Sequence, residues 1–309
     1  MTIAAGLVVY AAALSWFGPS LLTRLTNRGI NPKLGVAAWL TAVAGVTTAW
    51  LAAVVVLVLD ALDAIPSGPV WTLCVEVLGY SGHVDMAQPI AATTAGALIV
   101  AALALTGLVG RRIARTLRTL HSASHQHAMA ARVVGFPTRW RDVVVVEADH
   151  PAAYCVAGRP RAIVVTSAAL ASLHDDELAA VLAHEQAHLS GRHHHILMLL
   201  RATAAGLPRV PLAAAGPNVV SRLLEMCADD TAARRHGSHP LLCGLITLTA
   251  RPPVTAAAMG AASTAVLDRA SRLAVPAPRG ARWCDRVQLS ITIGLTVAIP
   301  LLAGVLCHH

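Results

Sequence analysis

The stretch His184-Glu185-Gln186-Ala187-His188 decides how this chain reads. It closes the run Asp175-Asp176-Glu177-Leu178-Ala179-Ala180-Val181-Leu182-Ala183, which is rich in Ala, Leu and Glu and free of Gly and Pro. Such a run predicts a helix. Residues four apart share a helix face, so His184 and His188 point the same way and can grip one metal ion. Glu185 sits beside them, placed to take a proton from an attacking water. Asp175, Asp176 and Glu177 suit the positive end of the helix dipole, and Gly191 reads as the natural stop.

A second stretch, Ser221-Arg222-Leu223-Leu224-Glu225-Met226-Cys227-Ala228-Asp229-Asp230, belongs to a helix expected over 218–236 and ended by Gly237 and Pro240. It places Glu225 and Asp229 on one face. A catalytic zinc takes three protein ligands and keeps a position for water. His184, His188 and Glu225 supply the three, so one catalytic Zn2+ is the expected cofactor. Asp229, one turn on, can accept a hydrogen bond from the outer nitrogen of a ligand histidine and fix its tautomer. The run Arg192-His193-His194-His195 invites a metal reading too. It is expected instead to be a solvated helix start or a contact with the membrane surface. Arg234, His236 and His239 are near in sequence as oxyanion donors, with no ground for choosing one.

Composition sets the surroundings. The 309 residues are 56% hydrophobic and only 13% charged, against about 25% charged in an ordinary soluble domain. Four apolar runs are long enough to span a bilayer: 2–22, 34–59, 90–110 and 287–306. No basic residue precedes the first, so it reads as a retained span rather than a signal peptide. Arg24, Arg28 and Lys33 follow it, whereas 60–89 carries Asp60, Asp63, Glu76 and Asp85 and no Lys or Arg. Arg111, Arg112, Arg115 and Arg118 follow the third run, and Arg279, Arg282 and Arg286 precede the fourth. The positive-inside rule then puts both termini outside and residues 119–286 in the cytoplasm. The net charge of +8 sits beside the spans, which points to the lipid bilayer and not to direct nucleic-acid contact. The six cysteines form no C-x-x-C pair, which argues against a zinc knuckle or a redox motif.

Between the third and fourth runs the texture is that of a folded domain. Val143–Val146 and Ala162–Thr166 are β-branched runs expected to be strands of a small sheet just ahead of the metal helix. An edge strand there could hold a peptide by strand addition or be purely structural. Residues 196–216 are apolar but broken by Arg201, Pro208, Arg209 and Pro211. They are expected to lie on the bilayer or to pack against the spans. A short interfacial helix is expected around 71–80, and helices over 241–250 and 256–273.

Three spans, a cytoplasmic H-E-x-x-H domain and a fourth span resemble the BlaR/MecR membrane metallopeptidases. Ala153-Tyr154-Cys155-Val156-Ala157-Gly158, the segment from Glu177 to His188 and Glu225-Met226-Cys227-Ala228-Asp229 carry the likeness, and they also resemble the HtpX and CAAX-protease group. The extracellular penicillin-binding sensor of the antibiotic-sensing members has no counterpart here, so the chain is similar to short, sensor-less actinobacterial members. The resemblance implies a BlaI-like winged-helix repressor as substrate or partner; it leaves homo-oligomerisation open.

The expected fold is therefore a mainly α membrane protein. Four transmembrane helices carry an inserted cytoplasmic α+β zincin-like metallopeptidase domain, divided as 1–118, 119–286 and 287–309. The expected activity is that of a zinc metalloendopeptidase with Glu185 as its catalytic base, acting in regulated proteolysis. Two rivals are an HtpX-like quality-control protease, favoured if 196–216 cross the bilayer, and a non-catalytic signalling or scaffold protein. The scaffold reading needs a fourth zinc ligand, from the histidine run or Cys227.

Overall fold

The computed structural model describes residues 2–64, 87–138, 140, 142–158, 161–249, 267–275 and 277–306. The first helices are α1 (Thr2–Thr26), α2 (Pro32–Ala64) and α3 (Ala87–Val134). The strands β1 (Phe136–Pro137), β2 (Val143–Val146), β3 (Ala153–Val156) and β4 (Ala162–Thr166) follow. The chain continues through α4 (Ser167–Ser172), α5 (Asp175–Ser190), α6 (His193–Gly206), α7 (Pro211–His236) and α8 (Ser238–Thr249). A short helix α9 covers 267–274, and α10 (Arg279–Leu306) is the last. The helix expected around 71–80 lies outside the described residues, as does most of 256–273.

Four helices are long and apolar enough to cross a membrane: Ile3–Thr26, Pro32–Leu62, Gly96–Val134 and Arg279–Leu302. Their outward faces are uncovered hydrocarbon, including Phe17, Leu98, Leu103, Leu108, Ile291 and Leu301. The third apolar run does not end its helix at residue 110. It continues without a break through the arginine cluster to Val134, because 111–134 contains no Gly or Pro to stop it. The expected boundary at residues 118 and 119 thus falls inside a helix.

The sheet has the order β1-β2-β4-β3, with β2 parallel to β4 and the other pairs antiparallel. Both expected strands form, and β4 lies between β2 and β3, every one of its residues buried. β3 is an edge strand whose side chains alternate. Ala153 and Cys155 join the cluster that includes Leu178, Val181 and Leu189 of α5, while Val156 packs on Ala128 and Ala131 of α3. The period of two along a strand produces this split.

Residues 196–216 form no single helix. α6 is 14 residues long, about 21 Å by helical rise, short of the roughly 30 Å hydrocarbon core. A break over 207–210 separates it from α7. Leu200 of α6 and Leu212, Val220, Leu223 and Met226 of α7 share one core with Leu22, Val36 and Trp39 of α1 and α2 and Leu289 of α10. The folded domain therefore sits directly on the ends of the apolar helices. The α1–α2 turn is tied into it: Arg222 donates to Asn27 O at 3.0 Å, Arg272 Nε donates to Gly29 O at 2.9 Å, and Asn31 Nδ2 donates to Asp285 at 2.7 Å. Gly29 adopts φ +56°, and a Cβ there would come 2.2 Å from Met226 Sδ, so the turn requires glycine on both counts.

Candidate metal centre

The metal helix α5 is bounded as its ends require. His174 N–H donates to Glu177 Oε2 at 3.1 Å, and Gly191 N–H donates to Ala187 O at 2.9 Å. α7 crosses α5 over small residues: Ala180 and Ala183 of α5 and Ala232 of α7 share a buried cluster with Leu241 and Leu273. Short side chains let the two helices approach closely enough for Glu225 to reach both histidines.

The geometry that results is a triangle. His184 Nε2 and His188 Nε2 are 3.2 Å apart, and Glu225 oxygens stand 3.5 and 3.4 Å from them in turn. Zinc–nitrogen bonds of 2.0–2.1 Å in tetrahedral geometry imply a donor–donor edge of about 3.3 Å. The three donors therefore fit one zinc ion, as two imidazoles and one carboxylate should. Cys227, considered as a fourth ligand, is buried in the apolar core instead. Among the described residues, His184, His188 and Glu225 are the group whose donors converge, and three is the protein-ligand count of a catalytic rather than a structural zinc.

Each ligand histidine has its outer nitrogen attended. His184 Nδ1 lies 3.1 Å from Asp229 Oδ1, at ion-pair distance rather than in hydrogen-bond geometry. Asp229 is fully buried and gives both oxygens to Arg269, at 2.8 Å to Nε and 2.6 Å to Nη2. Arg269 also reaches Glu225 Oε2 at 3.3 Å, so one guanidinium of α9 orients both carboxylates of α7. His188 Nδ1 meets His193 Nδ1 at 2.9 Å. Neither Arg269 nor His193 stands out in the sequence as a partner of the site. Arg269 lies outside any motif, and only the register of α5, turn and α6 brings His193 round. The histidine run does begin a helix, but His193 is buried, which corrects the expectation of a solvated start.

Gly191 ends α5 as its position suggested, and packing adds a second reason for glycine there. Its φ is −76°, and the left-handed residue is Arg192, at φ 51°. A Cβ on Gly191 would come 2.5 Å from His193 Nε2. The residue is glycine because the His193 ring packs over it.

Charges follow from this packing. Burial pulls the His184 imidazole down, but Asp229 and Glu225 outweigh it and lift it to about 9. Burial lowers His188 to about 4, keeping it neutral. Burial would raise Asp229, but its hydrogen bonds from Arg269 hold it down to about 2. Burial pushes Glu185 up to about 7, with Glu225 adding to the rise and His184 opposing it. Glu185 lies against the backbone N–H and thiol of Cys155 on β3. That thiol is pushed up to about 12, first by its own burial and then by Glu185, so it stays protonated. Arg234 and His236 at the end of α7 and His239 at the start of α8 are exposed, and Arg234 donates to Thr231. The guanidinium that reaches the carboxylates of the site is that of Arg269.

Comparison with known proteins bears on this arrangement. Residues 115–248 match peptidase family M48. The M48 segment begins on the extension of α3 and takes in the sheet, both metal helices and all but the last residue of α8. M48 peptidases are zinc-dependent, in accord with the donor set of His184, His188 and Glu225. The match supports a zinc metallopeptidase of a membrane type. No curated protein matches the chain.

Two outcomes are expected. Asp229→Ala strands the Arg269 guanidinium, whose side chain is only 13% exposed, and should cost about 3–5 kcal/mol of stability in chemical denaturation. Wild-type stability from this pair should be complete above the usual carboxylate range and fade as pH falls toward about 2. Gly191→Ala and His193→Ala should each weaken zinc affinity about 10–100-fold in chelator competition. The double variant should be no worse than either alone, since both act on the one contact with His188.

Proposed function

We propose that this chain is a membrane-embedded zinc metalloendopeptidase that cleaves peptide bonds on the cytoplasmic side. The convergence of His184, His188 and Glu225, with Glu185 one residue along the same helix, carries the reading. A zinc ion held by the three would supply Lewis-acid polarisation and an activated water. The protein's own part is proton handling. Burial brings Glu185 to about 7, near the operating pH at which a general base and acid works best. Glu185 accepts the proton of the attacking water and returns it to the leaving amine. Arg269 holds the ligand carboxylate of Glu225, and Asp229 faces the outer nitrogen of His184, so neither donor turns away during the exchange.

The edge strand β3 supports an extended peptide as substrate. It carries Cys155 against Glu185 and is the last strand of the sheet on that side among the described residues. A peptide added along that edge would run past the catalytic carboxylate, with backbone hydrogen bonds fixing its register.

Membrane insertion is supported by the uncovered apolar faces of α1, α2, α3 and α10 and by the arginines that follow the apolar part of α3 within the same helix and open α10. In this orientation the chain lies in a bacterial plasma membrane with the metal centre in the cytoplasm and both termini outside. Regulated proteolysis of a cytoplasmic BlaI-like repressor is the role the BlaR/MecR resemblance implies, and the seating of α7 on the ends of α1 and α2 supports a signal arriving through the membrane. The quality-control reading has less support. α6 is too short to span, and Leu200 and Ala202 face protein.

Glu185→Gln should retain one zinc per chain by metal analysis and lose hydrolysis by a factor of about 100 or more. In cells carrying that variant, the substrate should accumulate as an intact cytoplasmic protein absent from wild type. A variant as active as wild type would overturn the role of Glu185. For topology, a reporter active only outside should give signal when fused before α1, and one active only inside when inserted after Thr249.

A further inference from the structure

The short helix α9 has little apolar surface to hold it in place. Among residues 267–275 only Leu273 is buried, in the cluster with Ala180, Ala183, Ala232 and Leu241, while Leu267 and Val275 are 66% and 76% exposed. One apolar side chain does not offset the entropy of ordering the whole segment. Charge-assisted hydrogen bonds have to supply the rest. Two arginines three residues apart share a face of α9, and each grips α7 by a different acid. Arg269 donates to Asp229, and Arg272 Nη2 donates to the two oxygens of Asp230, at 2.7 and 2.9 Å.

Arg272 also reaches the apolar helices. Its Nε donates to Gly29 O at 2.9 Å, in the turn between α1 and α2. That turn is seated on α7 as well: Arg222 donates to Asn27 O and Thr26 O, and Gly29 presses on Met226, the residue after Glu225. Three elements therefore meet at one guanidinium: the α1–α2 turn, α7 through Asp230, and α9, which carries it. Three residues back along α9, Arg269 joins Asp229 to Glu225 Oε2.

We infer that Arg272 is a positioning residue of the metal centre. Its hydrogen bonds go to Gly29 and Asp230 and not to the three donors. It acts through α9, whose placement sets where Arg269 holds Glu225 and Asp229. With Arg272 released, α9 keeps Leu273 and the contacts of Arg269 alone, and Glu225 loses the fixed cation that orients it toward the two imidazoles. By giving Gly29 O to Arg272, the α1–α2 turn thereby bears on how firmly the third donor is held. This role rests on the reading of His184, His188 and Glu225 as zinc ligands, whatever the centre then does to a peptide.

Chelator competition on the full-length chain in detergent measures the effect without any substrate. Arg272→Ala should weaken Zn2+ affinity about 10–100-fold. Arg272→Lys, a point charge that cannot fork between Gly29 O and Asp230, should fall between it and wild type, and it carries the comparison if the alanine variant does not fold. Arg269→Lys should weaken affinity too, and adding Arg272→Ala to it should change affinity by less than about twofold, because both act along one path. In the zinc-free chain, amide hydrogen exchange over 267–275 should quicken about tenfold or more in Arg272→Ala, with exchange in α5 unchanged, as for a local opening. Wild-type zinc affinity in both Arg272 variants would overturn the proposal. So would an equal loss with and without Arg269→Lys, or exchange that quickens in α5 as much as in α9, since either marks a merely structural role. A wild-type chain that binds no zinc would remove the metal centre and this role together, whereas an inactive wild type that binds zinc counts only against the catalytic reading.

Discussion

Glu225 can face two imidazoles at once only because α5 and α7 meet over alanines. With Ala180, Ala183 and Ala232 at the crossing, the backbones come close enough for a glutamate to bring its oxygens 3.4 and 3.5 Å from the ring nitrogens. A close-packed interior has no slack to absorb added methylenes, so a larger side chain at any of the three would move the carboxylate off the triangle. The donors sit near tetrahedral spacing because the helix spacing is set elsewhere, by apolar packing.

Around that triangle the polar groups are arranged so that no charge is buried alone. Asp229, wholly buried, is tolerable because Arg269 meets both of its oxygens, and Arg269 is tolerable because Asp229 and Glu225 share its charge. A buried pair of this kind adds little net stability when intact and is costly when broken. Its value lies in orientation: the guanidinium holds both α7 carboxylates toward α5. On the other side, His193 does for His188 what Asp229 does for His184. The cradle thus draws on α5, α6, α7 and α9, and β3 brings Cys155 up to Glu185.

The opposite face of α7 gives the centre its connection to the apolar helices. Leu212, Val220, Leu223 and Met226 lie in one core with Trp39, Leu22 and Leu289, while Glu225 and Asp229 point away from that core toward α5. Arg222 and Arg272 grip the α1–α2 turn. The α1–α2 turn is thus joined to the helix that carries Glu225 through packed side chains and charge-assisted hydrogen bonds.

Local periodicity was enough to find the side chains that the fold brings together. His184 and His188, and separately Glu225 and Asp229, are four apart on stretches free of breakers, and that spacing fixes a shared face whatever the rest of the chain does. The apolar runs and the strands Val143–Val146 and Ala162–Thr166 were legible for the same reason, since their signal lies within a few residues. Spacing could not say what distant segment would arrive against those faces. Arg269 stands 40 residues from Asp229, and no periodic pattern joins them. His193 looked solvated until the turn at Arg192 folded it onto His188, and Gly191, the helix stop its position indicates, carries a further constraint from the ring packed above it. Faces are set by the chain's own repeat; partners are set by tertiary packing, which brings together groups that no local pattern relates.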